Sequence, residues 1–156
     1  MKWSEVLADP TLRDLPYKIE LNEHGSIVMT PASNRHARLQ SLVTKRLWEL
    51  AAGGAVLSEC SVQTAKGVKV PDAAWLSDAF LAAHGEETPY TAAPELCVEI
   101  ISPSNSAGEM DEKRDLYFSA GAREVWFCDE QGQIQFFTPE GSVAGSRLLA
   151  AFPNRL

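Results

Sequence analysis

A nearly continuous apolar run, Leu96-Cys97-Val98-Glu99-Ile100-Ile101, follows a polar loop that carries Pro89 and Pro94. A run of this length without polar alternation suits a strand buried on both faces, which requires cover on both sides of its sheet. A second run, Val125-Trp126-Phe127-Cys128, within 124–129, reads the same way. Between the two lies a helical pattern over about 107–120, entered after Ser102-Pro103-Ser104 and closed by Gly121. These elements predict a mixed sheet with helices on its faces, hence an α/β or α+β architecture.

The rest of the chain fits that frame. Ser4 can cap a short first helix that Pro10 closes. Tyr17, Ile19 and Leu21 alternate with Lys18 and Glu20, and 22–25 is turn material, so 17–21 and 26–30 predict a hairpin ended by Pro31. A long helix is expected over 34–52, with Ser33 or Asn34 as its cap and Leu39, Leu42, Val43, Leu47 and Leu50 as its apolar stripe. Strands are expected over 55–63 and 68–76, the second with Pro71 inside, a residue suited only to an edge or a strand start. A short helix over 77–84 and a last hairpin strand over 134–138 complete the order α-ββ-α-ββ-(α)-β-α-ββ. No repeat or low-complexity linker divides the 156 residues, so one domain over 1–156 is expected.

Charge and composition narrow the function classes. Lys and Arg number 14 against 21 Asp and Glu, a formal charge of −7, and the isoelectric point is about 4.9. That balance argues against coating nucleic acid by bulk charge. No apolar run approaches the roughly 20 residues of a membrane span. Ser4, Glu5 and Asp9 stand where a secretory signal needs an apolar stretch. Cys60, Cys97 and Cys128 are odd in number, far apart and flanked by apolar residues, which predicts buried free thiols and a reducing, cytoplasmic setting.

Three residues break the local pattern. Asp72 follows Pro71 inside an apolar stretch, Glu99 interrupts the first buried run, and Lys113 lies in the helix after it. A buried unpaired carboxylate costs several kcal/mol, so two on neighbouring strands need a partner. A divalent cation is one solution, since Mg²⁺ is held by one or two carboxylates with waters and phosphate oxygens. The alternative for either acid alone is structural: Asp72 facing solvent at a strand entrance, Glu99 paired with a lysine or arginine.

Pro71-Asp72, the run Glu95 to Ser104, and Glu112-Lys113 with Leu116-Tyr117 and Gly121 together resemble the Uma2 (DUF820) family, placed among the PD-(D/E)XK restriction-endonuclease-like nucleases. Tyr17-Lys18-Ile19-Glu20 with Gly25 to Met29 is similar to that family's opening hairpin, His36 to the histidine that starts its first core helix, and Arg123 to Asp129 to its aromatic strand. The resemblance spans about Tyr17 to Phe137. The superfamily signature places a lysine two residues after the acid, where this chain has Ile101; in the Uma2 pattern the lysine comes from the next helix, matching Lys113. Glu109 stands where relatives tend to have aspartate.

The resemblance implies a restriction-endonuclease-like core with an N-terminal hairpin and Mg²⁺-dependent hydrolysis of phosphodiester bonds, Mn²⁺ being a possible substitute. Asp72, Glu99 and the backbone carbonyl of Ile100 (or Ile101) would hold the metal, and Lys113 would orient the water and offset phosphate charge. Glu20 resembles the extra acid many superfamily members add, or is an exposed strand carboxylate. His36 and Gln40, four apart on one helix face, reach the site or are solvated. Lys66 and Lys69 form a phosphate-contacting rim or a solubilising turn. Tyr117, Trp126, Phe127, Phe136 and Phe137 are expected in a core or dimer interface, not as a stacking platform. Expected partners are nucleic acid, DNA in the first place, and a second copy of the chain. The competing classes are a catalytically weak or inactive dimeric binding module on the same fold and a hydrolase of small phosphate esters.

Overall fold

Leu96–Ile100 forms a strand buried at all five positions, as the apolar run predicts. In the computed structural model, which describes residues 1–156, the elements run α1 (Trp3–Ala8), a 3-10 turn (Pro10–Leu12), β1 (Tyr17–Leu21), β2 (Ile27–Pro31), α2 (Asn34–Leu50), β3 (Ala55–Leu57), β4 (Val62–Thr64), β5 (Gly67–Lys69), β6 (Ala73–Leu76), α3 (Asp78–His84), β7 (Leu96–Ile100), α4 (Ala107–Ser119), β8 (Glu124–Cys128), β9 (Ile134–Thr138) and β10 (Gly141–Val143). Six strands make one mixed sheet in the order β10-β9-β8-β7-β6-β3, while β1-β2 and β4-β5 are separate two-stranded sheets. Only β7 and β8 are parallel, and α4 is the crossover between them.

Strand parity divides the core. Leu96, Val98 and Ile100 share a cluster with Leu39, Val43 and Leu47 of α2, together with Trp126, Phe136 and Phe152. Cys97 belongs to the opposite face, with Met110 and Tyr117 of α4 and Val125 and Phe127 of β8. Glu99 shares the parity of Cys97 and so points to the α4 side. Helix α2 starts where expected because the Ser33 hydroxyl accepts the His36 N–H at 3.1 Å. Ser106 caps α4 in the same way, accepting from Glu109 N–H, and the Glu109 carboxylate accepts from Ser106 N–H in return.

The strand expectations for 55–76 need correction. The segment 55–63 is not one strand: Glu59 adopts a left-handed φ of 59°, which turns the chain, so β3 pairs with β6 whereas β4 pairs with β5. The segment 68–76 breaks at Pro71, which can donate nothing to a ladder. A hydropathy pattern continues across both breaks, which is why it conceals them. Gly67, at φ 86°, lets β5 press against the first hairpin, where any Cβ would collide with the carbonyls of Leu21 and Asn22. In α1 the cap is Lys2 and not Ser4: its N–H is taken by the Glu5 carboxylate at 2.6 Å. Strand β10 has no counterpart in the sequence reading. All three cysteines are free and buried, and Tyr117, Trp126, Phe127 and Phe136 are core residues. No helix is long and apolar enough to cross a membrane.

Candidate active site

Antiparallel pairing of β6 with β7 sets Ala73 opposite Val98, so one step further along the register Asp72 meets Glu99 at the end of the sheet. Both are almost fully buried, Asp72 at 1% and Glu99 at 2% exposure. Asp72 Oδ2 accepts the Ile100 N–H at 2.7 Å. Its Oδ1 accepts from Lys18 Nζ at 3.0 Å and faces His36 Nε2 at 3.3 Å. Gln40 Nε2 donates to the Asp72 backbone carbonyl at 2.8 Å. Two residues of one helix face therefore fix Asp72 from the first turns of α2.

Glu99 is held from the other side. Its Oε1 accepts the Tyr117 hydroxyl at 2.6 Å and lies 3.0 Å from Lys113 Nζ, both residues projecting from α4 four positions apart. Its Oε2 lies 3.1 Å from Lys18 Nζ. Glu20 closes the cluster: its Oε1 is 2.7 Å from Lys113 Nζ and accepts the Val70 N–H at 2.7 Å. Lys18 and Glu20, two apart on β1, present their side chains to the same side of the hairpin.

The cluster balances three carboxylates against two ammonium groups. Burial alone would raise Asp72, but the His36 hydrogen bond, the Lys18 charge and the Ile100 N–H together hold its carboxyl well below the usual range. For Glu20, burial is likewise outweighed, here by Lys113 and Lys18, and the group titrates low. Glu99 moves the other way: complete burial outweighs the attraction of Lys113 and Lys18 and, with Asp72 and Glu20 nearby, pushes it up. Burial would lower Lys18, but Glu99, Asp72 and Glu20 overcome that and hold the ammonium above the ordinary lysine range.

Lys18, Glu20, His36, Glu99 and Lys113 line a cleft of about 300 Å³ between the first hairpin and the N-terminal ends of α2 and α4. Asp72 stands behind Lys18 and His36. All the predicted site residues, Asp72, Glu99, Lys113, Glu20, His36 and Ile100, thus belong to one connected network of contacts. Ile100 enters through its N–H. Lys66 and Lys69 do not form a rim of this cleft: Lys66 pairs with Glu112 and Glu23, and Lys69 donates to the Leu21 carbonyl.

Two members escaped the sequence reading. Lys18 shares strand parity with Glu20, and Tyr117 lies one helical turn after Lys113, so period-2 and period-3.6 neighbours of the acids would have found them. A further buried carboxylate, Glu124, is unrelated to the cleft. It accepts from Trp126 Nε1, the Ser146 hydroxyl and the backbone N–H groups of Arg147 and Leu148, which pins the C-terminal segment to β8.

No point in the structure is approached by three His, Cys, Asp or Glu donors at once. Asp72 and Glu99 nevertheless offer hard oxygen donors aimed at one position, and the Lys18 ammonium already sits there, 3.0 and 3.1 Å from the two carboxylates. The pair fits a cation held by two carboxylates, with the remaining ligands from backbone and water, the composition favoured by Mg²⁺.

The model of the Uma2 family, described as "Putative restriction endonuclease", matches residues 7–153. Among solved structures the chain is similar to a putative nuclease belonging to DUF820 from Anabaena variabilis ATCC 29413, with a TM-score of 0.71 and 17% identity, over 90% of this chain and 80% of that one. The fold is therefore the restriction-endonuclease-like one, a mixed sheet flanked by helices with an N-terminal hairpin. A comparison with the curated proteins finds no match.

Proposed function

The chain belongs to the Uma2 family, and we propose that it is a Mg²⁺-dependent endonuclease that hydrolyses phosphodiester bonds of DNA. The observation that carries this reading is the convergence of Glu99 and Lys113 at the wall of one cleft, Lys113 Nζ 3.0 Å from Glu99, with Asp72 directly behind and joined to Glu99 through Lys18. Asp72 and Glu99 hold the metal in this reading, with the Ile100 carbonyl as a further ligand. Bound Mg²⁺ supplies Lewis-acid stabilisation of phosphate charge and acidifies water.

The protein's own groups do the rest. Lys113 is set at the cleft wall by Glu20 and Glu99, where its ammonium can donate to the attacking water or to a phosphate oxygen as negative charge develops. Glu20 acts as a positioning residue for Lys113, because one oxygen takes both that ammonium and the Val70 N–H. His36 and Gln40 fix Asp72 through its carboxylate and its backbone. Buried Tyr117 orients the Glu99 carboxylate from the side away from Lys18. A homodimer, the common closed symmetry for such chains, would present two clefts to two strands.

Plasmid and single-strand cleavage with Mg²⁺ or Mn²⁺ tests the proposal, comparing the wild type with Asp72→Ala and Lys113→Ala. Cleavage that disappears in both variants supports it; equal cleavage by the variants overturns it. One observation favours the second reading, a catalytically inactive dimeric binding module: Lys18 and Lys113 already offset most of the carboxylate charge without a divalent ion. Calorimetric titration with Mn²⁺ bears on the choice, since absence of binding that depends on Asp72 and Glu99 would favour the module.

A further inference from the structure

Lys18 is the one side chain of the cluster that contacts both Asp72 and Glu99. Like Glu20 it is carried by β1, whose only strand partner is β2, whereas Glu99 lies in β7 and Asp72 directly precedes β6 of the main sheet. Its Nζ contacts one oxygen from each of Asp72 and Glu99, at 3.0 and 3.1 Å. Its side chain is 11% exposed and forms part of the cleft wall.

We propose that Lys18 is a built-in ammonium counter-ion occupying the cation position between Asp72 and Glu99, which a divalent metal must displace in order to bind. This rests on the nuclease reading for the identity of the metal, but it concerns what the chain does before metal arrives. A divalent ion of Mg²⁺ size sits about 2.1 Å from its carboxylate oxygens. An ammonium bonded to those same two oxygens would lie within a few ångströms of it, with like charge and little solvent between. The two cations exclude each other.

Each feature of the lysine suits that exchange. Asp72 and Glu99 face each other almost fully buried, and Lys113 contacts Glu99 but not Asp72. Without Lys18 the Asp72 charge would keep only His36, Gln40 through its backbone, and the Ile100 N–H. The four-carbon stem of lysine lets Nζ withdraw into the adjoining cleft without moving the strand. An arginine in this place would be harder to release, because its fork holds carboxylates bidentately. The counter-ion therefore keeps the metal-free site folded and at the same time weakens its affinity for metal.

The test is Mn²⁺ binding by calorimetry to the full chain, at fixed pH and ionic strength, for the wild type, Lys18→Met and Lys18→Gln. Gln keeps amide donors on a stem one atom shorter and removes the charge, so it serves should Met fail to fold without metal. Removing the competing charge is expected to tighten Mn²⁺ binding by about tenfold or more, and adding Asp72→Asn to Lys18→Gln is expected to abolish the gain. In metal-free buffer the Lys18 variants should melt below the wild type, and saturating Mn²⁺ should reverse that order. Mn²⁺ affinity equal to or weaker than the wild type in a folded Lys18→Gln variant overturns the counter-ion role while leaving the nuclease reading intact. Tighter Mn²⁺ binding in a protein that cleaves no nucleic acid supports the counter-ion role and overturns only the nuclease. Absence of Mn²⁺ binding in every variant overturns both.

Discussion

Lys113 Nζ stands 3.0 Å from Oε1 of Glu99, reached from the second turn of α4 and not from the strand that carries the acid. The same ammonium is 2.7 Å from Glu20, so one lysine serves two buried carboxylates. Lys113→Met leaves Glu20 with no cation in contact and Glu99 with Lys18 alone. Removing one partner of a buried ion pair is expensive, and a loss of about 3 kcal/mol is expected in urea unfolding. Cleavage should fall by about 100-fold or more if this ammonium stabilises developing phosphate charge. Lys113→Arg should recover much of the stability and little of the cleavage, because the fork cannot place a single donor where the ammonium does. Full activity in either variant would remove Lys113 from the chemistry.

Much of this site is legible in the sequence because its acids violate their surroundings. Glu99 stands out in an apolar run, and Asp72 stands out beside Pro71. Lys18 and Tyr117 do not: a lysine on a half-buried hairpin strand and a tyrosine on a helix are unremarkable until the tertiary arrangement shows what they touch. The same limit hid the split of 55–63, since a single left-handed residue, Glu59, redirects the chain without altering the hydropathy pattern. It also hid the role of the C-terminal segment, which is tied to β8 by a long-range carboxylate and not by any local periodicity.

Glu124 shows a second way in which this fold compensates a buried carboxylate. Like Glu99 it is 2% exposed, yet its partners are an indole, a hydroxyl and two backbone N–H groups, without a lysine. Glu124→Ala strands four donors and frees the segment after β10, so a loss of about 3–5 kcal/mol is expected. Metal affinity and cleavage per folded molecule should be unchanged. Circular dichroism melts and cleavage at a temperature where the variant remains folded would check this, and a selective loss of cleavage would contradict it.

The Tyr117 hydroxyl is fully buried and donates to Glu99 Oε1 at 2.6 Å. Burial first, and the adjacent Glu99 and Glu20 charges second, push this phenol well above its ordinary range, so it stays a donor at every working pH. Tyr117→Phe keeps the ring in the α4 cluster and removes one hydrogen bond, at an expected cost of about 1–2 kcal/mol. Because Glu99 still has Lys113 and Lys18, the variant should fold and bind Mn²⁺. Its cleavage should drop by about tenfold as the carboxylate loses one of the contacts that orient it. A variant as stable and as active as the wild type would show that the hydroxyl does not position Glu99.

Asp72 makes the pH dependence of stability predictable in sign. Although burial opposes ionisation, the His36 hydrogen bond, Lys18 and the Ile100 N–H leave its folded carboxyl below the unfolded value of about 3.8. A depressed folded value means that the unfolded chain binds the proton more readily, so the stabilisation is fully present above the unfolded value and is lost as pH falls toward the folded one. Asp72→Asn keeps an acceptor for the Ile100 N–H but has no charge to lose. In metal-free buffer the wild type should therefore exceed the variant by about 2 kcal/mol near neutral pH. That gap should hold steady down to the ordinary carboxylate range and then shrink with further acidification. Urea midpoints for both proteins across this range measure it directly. A gap that stays constant or widens in acid would mean that Lys18 and His36 do not hold Asp72 ionised, and would remove the charge that Lys18 is there to offset.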